Sequence, residues 1–114
     1  MTVKHIVLFE LKPGTDAASK KKLCDAMYGL KDKCAHPTTK KPYVRSMSGG
    51  KDMSVEGLQH GHSHAFIVEF DSVADRDYYA KEDAAHQAFI VDFFTGPDAI
   101  LKGATVVDFV PDEF

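Results

Sequence analysis

The chain has 114 residues, 44% of them apolar, and 14 Lys and Arg against 17 Asp and Glu give a formal charge of -3. That fits a single domain, residues 1–114, with one modest core and little room for a large private cavity. Lysines at 20, 21, 22, 31, 33, 40 and 41 are interrupted by acidic residues and lack accompanying arginines or stacking aromatics, so no nucleic-acid partner is expected.

Residues 3–12 read as a strand that is apolar on both faces. Val3, His5, Val7, Phe9 and Leu11 share one side, and Ile6 and Leu8 occupy the other. A strand this early, with no long apolar stretch before it, predicts neither an export signal nor a membrane partner. Pro13-Gly14 stops the strand, and Thr15 or Asp16 can cap the helix that follows. Leu23, Met27, Leu30 and Cys34 recur there at helical spacing as one stripe, until His36-Pro37 closes the helix. Cys24 and Cys34 lie on that helix too far apart to bridge, roughly 15 Å at its rise per residue. Reduced cysteines point to a cytoplasmic protein.

Residues 43–48 predict a short second strand, and 49–61 a polar loop or arm. Residues 64–70 predict a third strand, with His64, Phe66, Val68 and Phe70 against Ala65 and Ile67. Ser72 can cap a helix through 75–81, and a further helical piece covers 84–94 before Gly96-Pro97. Thr95 or Asp98 can start one more turn. Residues 104–110 form the last strand, and Pro111 ends it.

The order β-α-β-β-α-β is the split-βαβ, ferredoxin-like arrangement of the α+β class: a four-stranded antiparallel sheet with helices on one face. The helix-free face would carry Ile6, Leu8, Ala65, Ile67, Thr105, Val107 and Phe109, or the opposite set if the two faces are exchanged. An apolar face of that extent demands cover, and a second copy packed sheet to sheet predicts a two-fold homodimer.

Several segments now carry a likeness. Val3-Lys4-His5-Ile6-Val7-Leu8-Phe9, the strand from His64 to Phe70, the stretch from Ser72 to Phe89 and Val106-Val107-Asp108-Phe109 resemble the stress-responsive dimeric α/β-barrel (Dabb) family over nearly the whole chain. The resemblance implies a dimeric α/β barrel. It leaves function open, since many members are known only as stress-induced or uncharacterised proteins. The olivetolic acid cyclases of plants, which perform an intramolecular aldol condensation, are distant members. Their catalytic histidine matches His86, the tyrosine upstream best matches Tyr79 with one extra residue between, and a pocket histidine matches His5. A tyrosine of their pocket wall falls on Met27, so their substrate does not transfer.

The residues themselves permit two readings. His86 opens a helix whose face meets the sheet, where a helix N-terminus disfavours the charged ring and keeps a base available. Tyr79, seven residues earlier, can donate to a developing oxyanion, while Tyr78 points elsewhere. Either Tyr79 or an acid, Glu82 or Asp83, could orient the ring. Val7, Phe9, Leu23, Met27, Phe66 and Phe89 would supply an apolar wall. This is a cofactor-free, cyclase-like lyase with His86 as base. The other reading, placed first, is a non-catalytic homodimer that binds a small apolar metabolite, with His86, Tyr79 and His5 closing the core. His64 starts the third strand and is a lesser candidate.

His60, His62 and His64 alternate, yet no carboxylate or cysteine completes a metal set, and no metal is expected. Gly49-Gly50-Lys51-Asp52 lacks the spacing of a phosphate loop. The absence of Trp and of any haem or flavin signature predicts no cofactor.

Overall fold

Alternation along β1 (Val3–Leu11) decides the layering: Val3, His5, Val7 and Phe9 are buried, and the residues between them are half-buried. A computed structural model describes residues 2–114. β1 is followed by α1 (Ala17–Lys33), β2 (Val44–Lys51), β3 (His64–Phe70), α2 (Val73–Lys81), α3 (Ala84–Ile90), a π turn (Val91–Thr95) and β4 (Leu101–Phe109). The sheet order is β2-β3-β1-β4, with every neighbouring pair antiparallel.

Register carries the alternation across the sheet. Ile6 stands between Ile67 and Val107, Val7 between Phe66 and Val106, and His5 between Val68 and Asp108. The first set forms the helix-free face, where Ile67, Val107 and Phe109 are exposed. The second faces the helices. A bulge between Glu10 and Leu11 re-aims the end of β1, so that Leu11 pairs with Leu101.

Each helix starts on a side-chain cap that satisfies amides the helix leaves free. Asp16 accepts from Ser19 N at 2.7 Å, and Ser72 from Asp75 N at 3.1 Å. α1 buries Leu23, Met27 and Leu30. Cys34 lies just past its last turn, buried, with burial pushing its thiol up to about 12. Both cysteines are free. Among the described residues no helix is long and apolar enough to cross a membrane.

The expected barrel does not form. The four strands make one open sheet, with β2 and β4 as its two edges. Four strands are too few to curl round and close on themselves around a packed interior, which takes about eight. The arm expected from Gly49 onward is also corrected, because β2 continues through Gly49, Gly50 and Lys51, opposite Phe66, Ala65 and His64. Gly49 permits this: the Phe66 ring passes where a Cβ would stand. The Tyr28 hydroxyl seals the place, accepting from Gly49 N and donating to Gly49 O at 3.1 Å each. At the C-terminal end β4 begins at Leu101, earlier than expected, and α3 gives way to the π turn after Ile90.

Asp83 does the most for local order. It is 3% exposed and accepts from Ala85 N at 2.9 Å, from His86 N at 3.3 Å and from the Tyr43 hydroxyl at 2.6 Å. Asp83→Ala removes a helix cap and strands a buried phenol, and should cost about 2–4 kcal/mol in urea unfolding. Asp16→Ala, which loses only an exposed cap, should cost about 1 kcal/mol. Equal losses at the two positions would contradict this account of Asp83.

Candidate active site

The helices cover β1 and β3 more fully than β4. Val106, on the helix side of β4, is consequently still 52% exposed. Between that uncovered half and the α2–α3 segment lies a cavity of about 280 Å³. Its polar end is built from His5, Tyr79 and His86, and its apolar walls include Val7, Phe9, Met27 and Phe89. The volume is just under the about 300–1,000 Å³ typical of ligand pockets, so it suits a small molecule.

His5 is held from one side. Its Nδ1 lies 2.7 Å from Asp108 Oδ1, while Asp108 Oδ2 accepts from Arg76 Nη1 at 2.8 Å. Arg76 Nε donates in turn to Asp77 at 2.9 Å. A carboxylate paired with a guanidinium is ionised and can only accept, so the His5 proton sits on Nδ1 and the lone pair of the neutral ring on Nε2. No second hydrogen bond to this ring forms among the described residues.

His86 is held differently. Its backbone amide is on Asp83, and its ring stacks on Tyr79 with centroids 4.0 Å apart and planes at 27°. Burial, and secondarily the nearby His5, lowers its affinity for a proton; the Tyr79 carbonyl and Asp83 oppose this less. His86 Nδ1 is buried without a hydrogen-bond partner among the described residues. With a bare lone pair at Nδ1 the proton of the neutral ring is on Nε2; a proton on Nδ1 would instead need the Tyr79 carbonyl as its acceptor.

Tyr79 is 1% exposed, stacked on His86 and edge-on to His5 at 5.7 Å. Burial, then the closeness of Cys34 and Asp83, raises its phenol and keeps it protonated. Tyr79 thereby acts as a spacer that fixes the angle between the two imidazoles.

Of the residues singled out from sequence, His5, Val7, Phe9, Met27, Tyr79, His86 and Phe89 line this cavity. Leu23 and Phe66 do not. Leu23 is wholly buried in the core, and Phe66 packs edge-on against Tyr28 at 6.0 Å, one strand away from the cavity. Sequence reasoning missed Asp108 and Arg76. Their signals are parity and spacing: Asp108 shares a β4 face with Ala104 and Val106, and Arg76 precedes Tyr79 by one helical turn. Elsewhere, His62 bonds Gln59 O and Thr105 Oγ1 at 2.8 and 2.9 Å, and His64 bonds Ser63. Among the described residues no three His, Cys, Asp or Glu side chains gather as metal ligands.

Residues 3–111 match the stress responsive A/B barrel domain, Dabb, and the chain belongs to that family. It is similar to the protein At3g17210 from Arabidopsis thaliana at 25% identity and a TM-score of 0.78, over 98% of this chain and 97% of that one. The hydroxynitrile lyase from Passiflora edulis shares the fold at 21% identity and a TM-score of 0.76, over 99% and 96% of the two chains. A dimeric ferredoxin-like protein of unknown function from Thermobifida fusca shares it at 16% identity and a TM-score of 0.70, over 96% and 91%. No curated protein matches.

The lowered proton affinity of His86 has a consequence for stability. The unfolded chain, with a histidine value of 6.5, binds this proton more readily than the folded one, so acid favours unfolding. The contribution is complete above pH 6.5 and is lost as pH falls from there through the lower folded value. His64, lowered by burial and by Lys20 and Lys51, acts with the same sign. Melting temperature should therefore fall on acidification below about pH 6.5. His86→Gln should flatten that slope, and His86→Gln with His64→Gln should flatten it further. An unchanged slope in the double variant would refute the assignment.

Proposed function

We propose that the cavity binds a small, largely apolar molecule bearing a hydroxyl or carbonyl oxygen, and that the protein acts on it as a cofactor-free lyase. One observation carries the reading: two differently anchored imidazoles meet at the polar end of an apolar-walled cavity. His5 presents a lone pair and His86 an N–H, which is the complement needed to move one proton at an oxygen-bearing carbon.

In the forward sense, His5 Nε2 takes the hydroxyl proton of the substrate. The oxygen closes to a carbonyl as the adjacent C–C bond breaks, and the electron pair departs with the leaving carbon. The His5 imidazolium, stabilised by Asp108, returns the proton to that carbon. His86 Nε2–H donates to the oxygen as charge develops on it, and a neutral histidine near a helix N-terminus is suited to that task. Run backwards, the same steps make a C–C bond. Tyr79 positions His86 and takes no proton.

A second reading keeps His86 as the base, with Tyr79 donating. It is favoured by the low proton affinity of His86, which leaves a free base at neutral pH. Asp108 separates the two, because only the first reading routes the proton through the ring that Asp108 holds.

A cyanohydrin such as mandelonitrile is the first probe, because a protein of the same fold is a hydroxynitrile lyase. With carbonyl release as the readout, His5→Gln and Asp108→Asn should each lower kcat by roughly 10²–10⁴, the usual worth of a positioned acid–base group. Tyr79→Phe should retain most activity. Loss in His86→Gln with an undiminished rate in Asp108→Asn would transfer the base to His86. Neither turnover nor binding of any small carbonyl or hydroxyl compound would refute the site.

We also propose that a second copy of the chain covers the helix-free face. Support comes from the exposure of Val107 at 58% and Phe109 at 42%, and from relatives that are dimeric ferredoxin-like proteins. Sedimentation at micromolar concentration should give twice the chain mass, and Val107→Asp should give a folded monomer. A wild-type monomer would contradict it.

A further inference from the structure

We infer that Phe94, carried on the π turn, sets the length of molecule the cavity accepts. The inference rests on the proposed binding role of the cavity and names the residue that limits its occupant.

The cavity has an axis. His5 marks its polar end and Phe9 its apolar one, four residues and about 13 Å along the strand. α3 runs alongside, taking His86 past Tyr79 and Phe89 past Phe9, whose ring centroids lie 6.3 Å apart. Val7, Phe9, Met27, Phe89 and Leu101, all lining the cavity, are no more than 8% exposed. Phe94 and Val106 also line it but are 42% and 52% exposed, so they form its rim. A molecule whose oxygen reaches the two histidines therefore extends its apolar remainder toward Phe94.

The backbone puts Phe94 there by an irregular device. In an unbroken α-helix, Phe94 would stand five residues after Phe89 and about 140° round the axis from it, turned away from the cavity. The π turn holds one more residue per loop, closed by Gly96 N donating to Val91 O at 2.8 Å. This brings Phe94 back beside the face that Phe89 occupies. Phe93 meanwhile stays buried against Phe89, with centroids 4.8 Å apart. Position 96 must be glycine for this closure, because a Cβ there would run into the Val91 carbonyl. Phe93 anchors the turn, and Phe94 is its free end at the rim. A π turn inserted where a helix passes a cavity is a recurrent mark of functional sites.

The test is an NMR titration with a series of 4-alkylphenols of increasing chain length, read at the His5 and His86 imidazole signals. Wild-type protein should bind the short members and lose affinity sharply beyond one chain length. Phe94→Ala, at an exposed position that folding tolerates, should extend that limit and tighten the first excluded member by roughly tenfold or more. Phe94→Trp should shorten it, and Gly96→Ala, which opens the turn, should blur it. Val91→Ala, on the same turn but outside this cavity, should leave it in place. Binding of the series with the same cutoff in wild type, Phe94→Ala and Phe94→Trp would overturn this inference while leaving the cavity a binding site. If no phenol moves either imidazole, in wild type or in Phe94→Ala, the binding role falls and the inference with it.

Discussion

One carboxylate, Asp108, ties three elements together at the cavity: it sits on β4, holds His5 of β1 through one oxygen and Arg76 of α2 through the other. A charge this close to an apolar wall is tolerated only when paired and hydrogen-bonded. Arg76 supplies the pairing and is itself partly exposed to solvent, so the net charge of the cluster does not have to enter the core. The consequence for chemistry is a fixed histidine. Without Asp108 the His5 ring could flip or change tautomer, and the cavity would keep its shape while losing its polarity.

The cavity itself follows from incomplete coverage. α1 packs chiefly against β2 and α3, α2 meets β1 and β3, and of the helical elements β4 meets chiefly the π turn. β4 is left with its inward half uncovered, and Val106 shows it. Packing along the rest is dense: Leu23, Cys34, Val68 and Phe70 have no exposed surface. The open edge is thus where the fold has room for a small molecule, beside a core that has none.

Much of this was legible from residues. Alternation on β1 and β3 divided their residues into the two sets that the sheet separates, and burial in the structure decides which set faces the helices. The stripe of Leu23, Met27 and Leu30 oriented α1. His5, Tyr79 and His86 were grouped through the family likeness and the seven-residue spacing of Tyr79 and His86, and all three line the cavity. Other features depend on contacts distant in sequence. Asp108 lies 103 residues from His5, and only strand register reveals that they meet. The continuation of β2 through Gly49 depends on Tyr28 and Phe66, neither adjacent in sequence, so its glycines read as a loop. Leu23 and Phe66 have the right apolar character for a cavity wall but sit deeper in the core. The barrel was an expectation of the family likeness, and the open order β2-β3-β1-β4 corrects it.

The central claim is that the two imidazoles face one cavity in opposite tautomers, one offering a lone pair and the other an N–H. Nitrogen-15 NMR of the histidine rings measures this directly, at a pH where the rings are neutral. The account predicts a proton on Nδ1 of His5 and on Nε2 of His86, with the His5 tautomer lost in Asp108→Asn. It also predicts that one small phenol shifts both rings together. A His5 ring protonated on Nε2, or a ligand that moves one imidazole and leaves the other untouched, would contradict it.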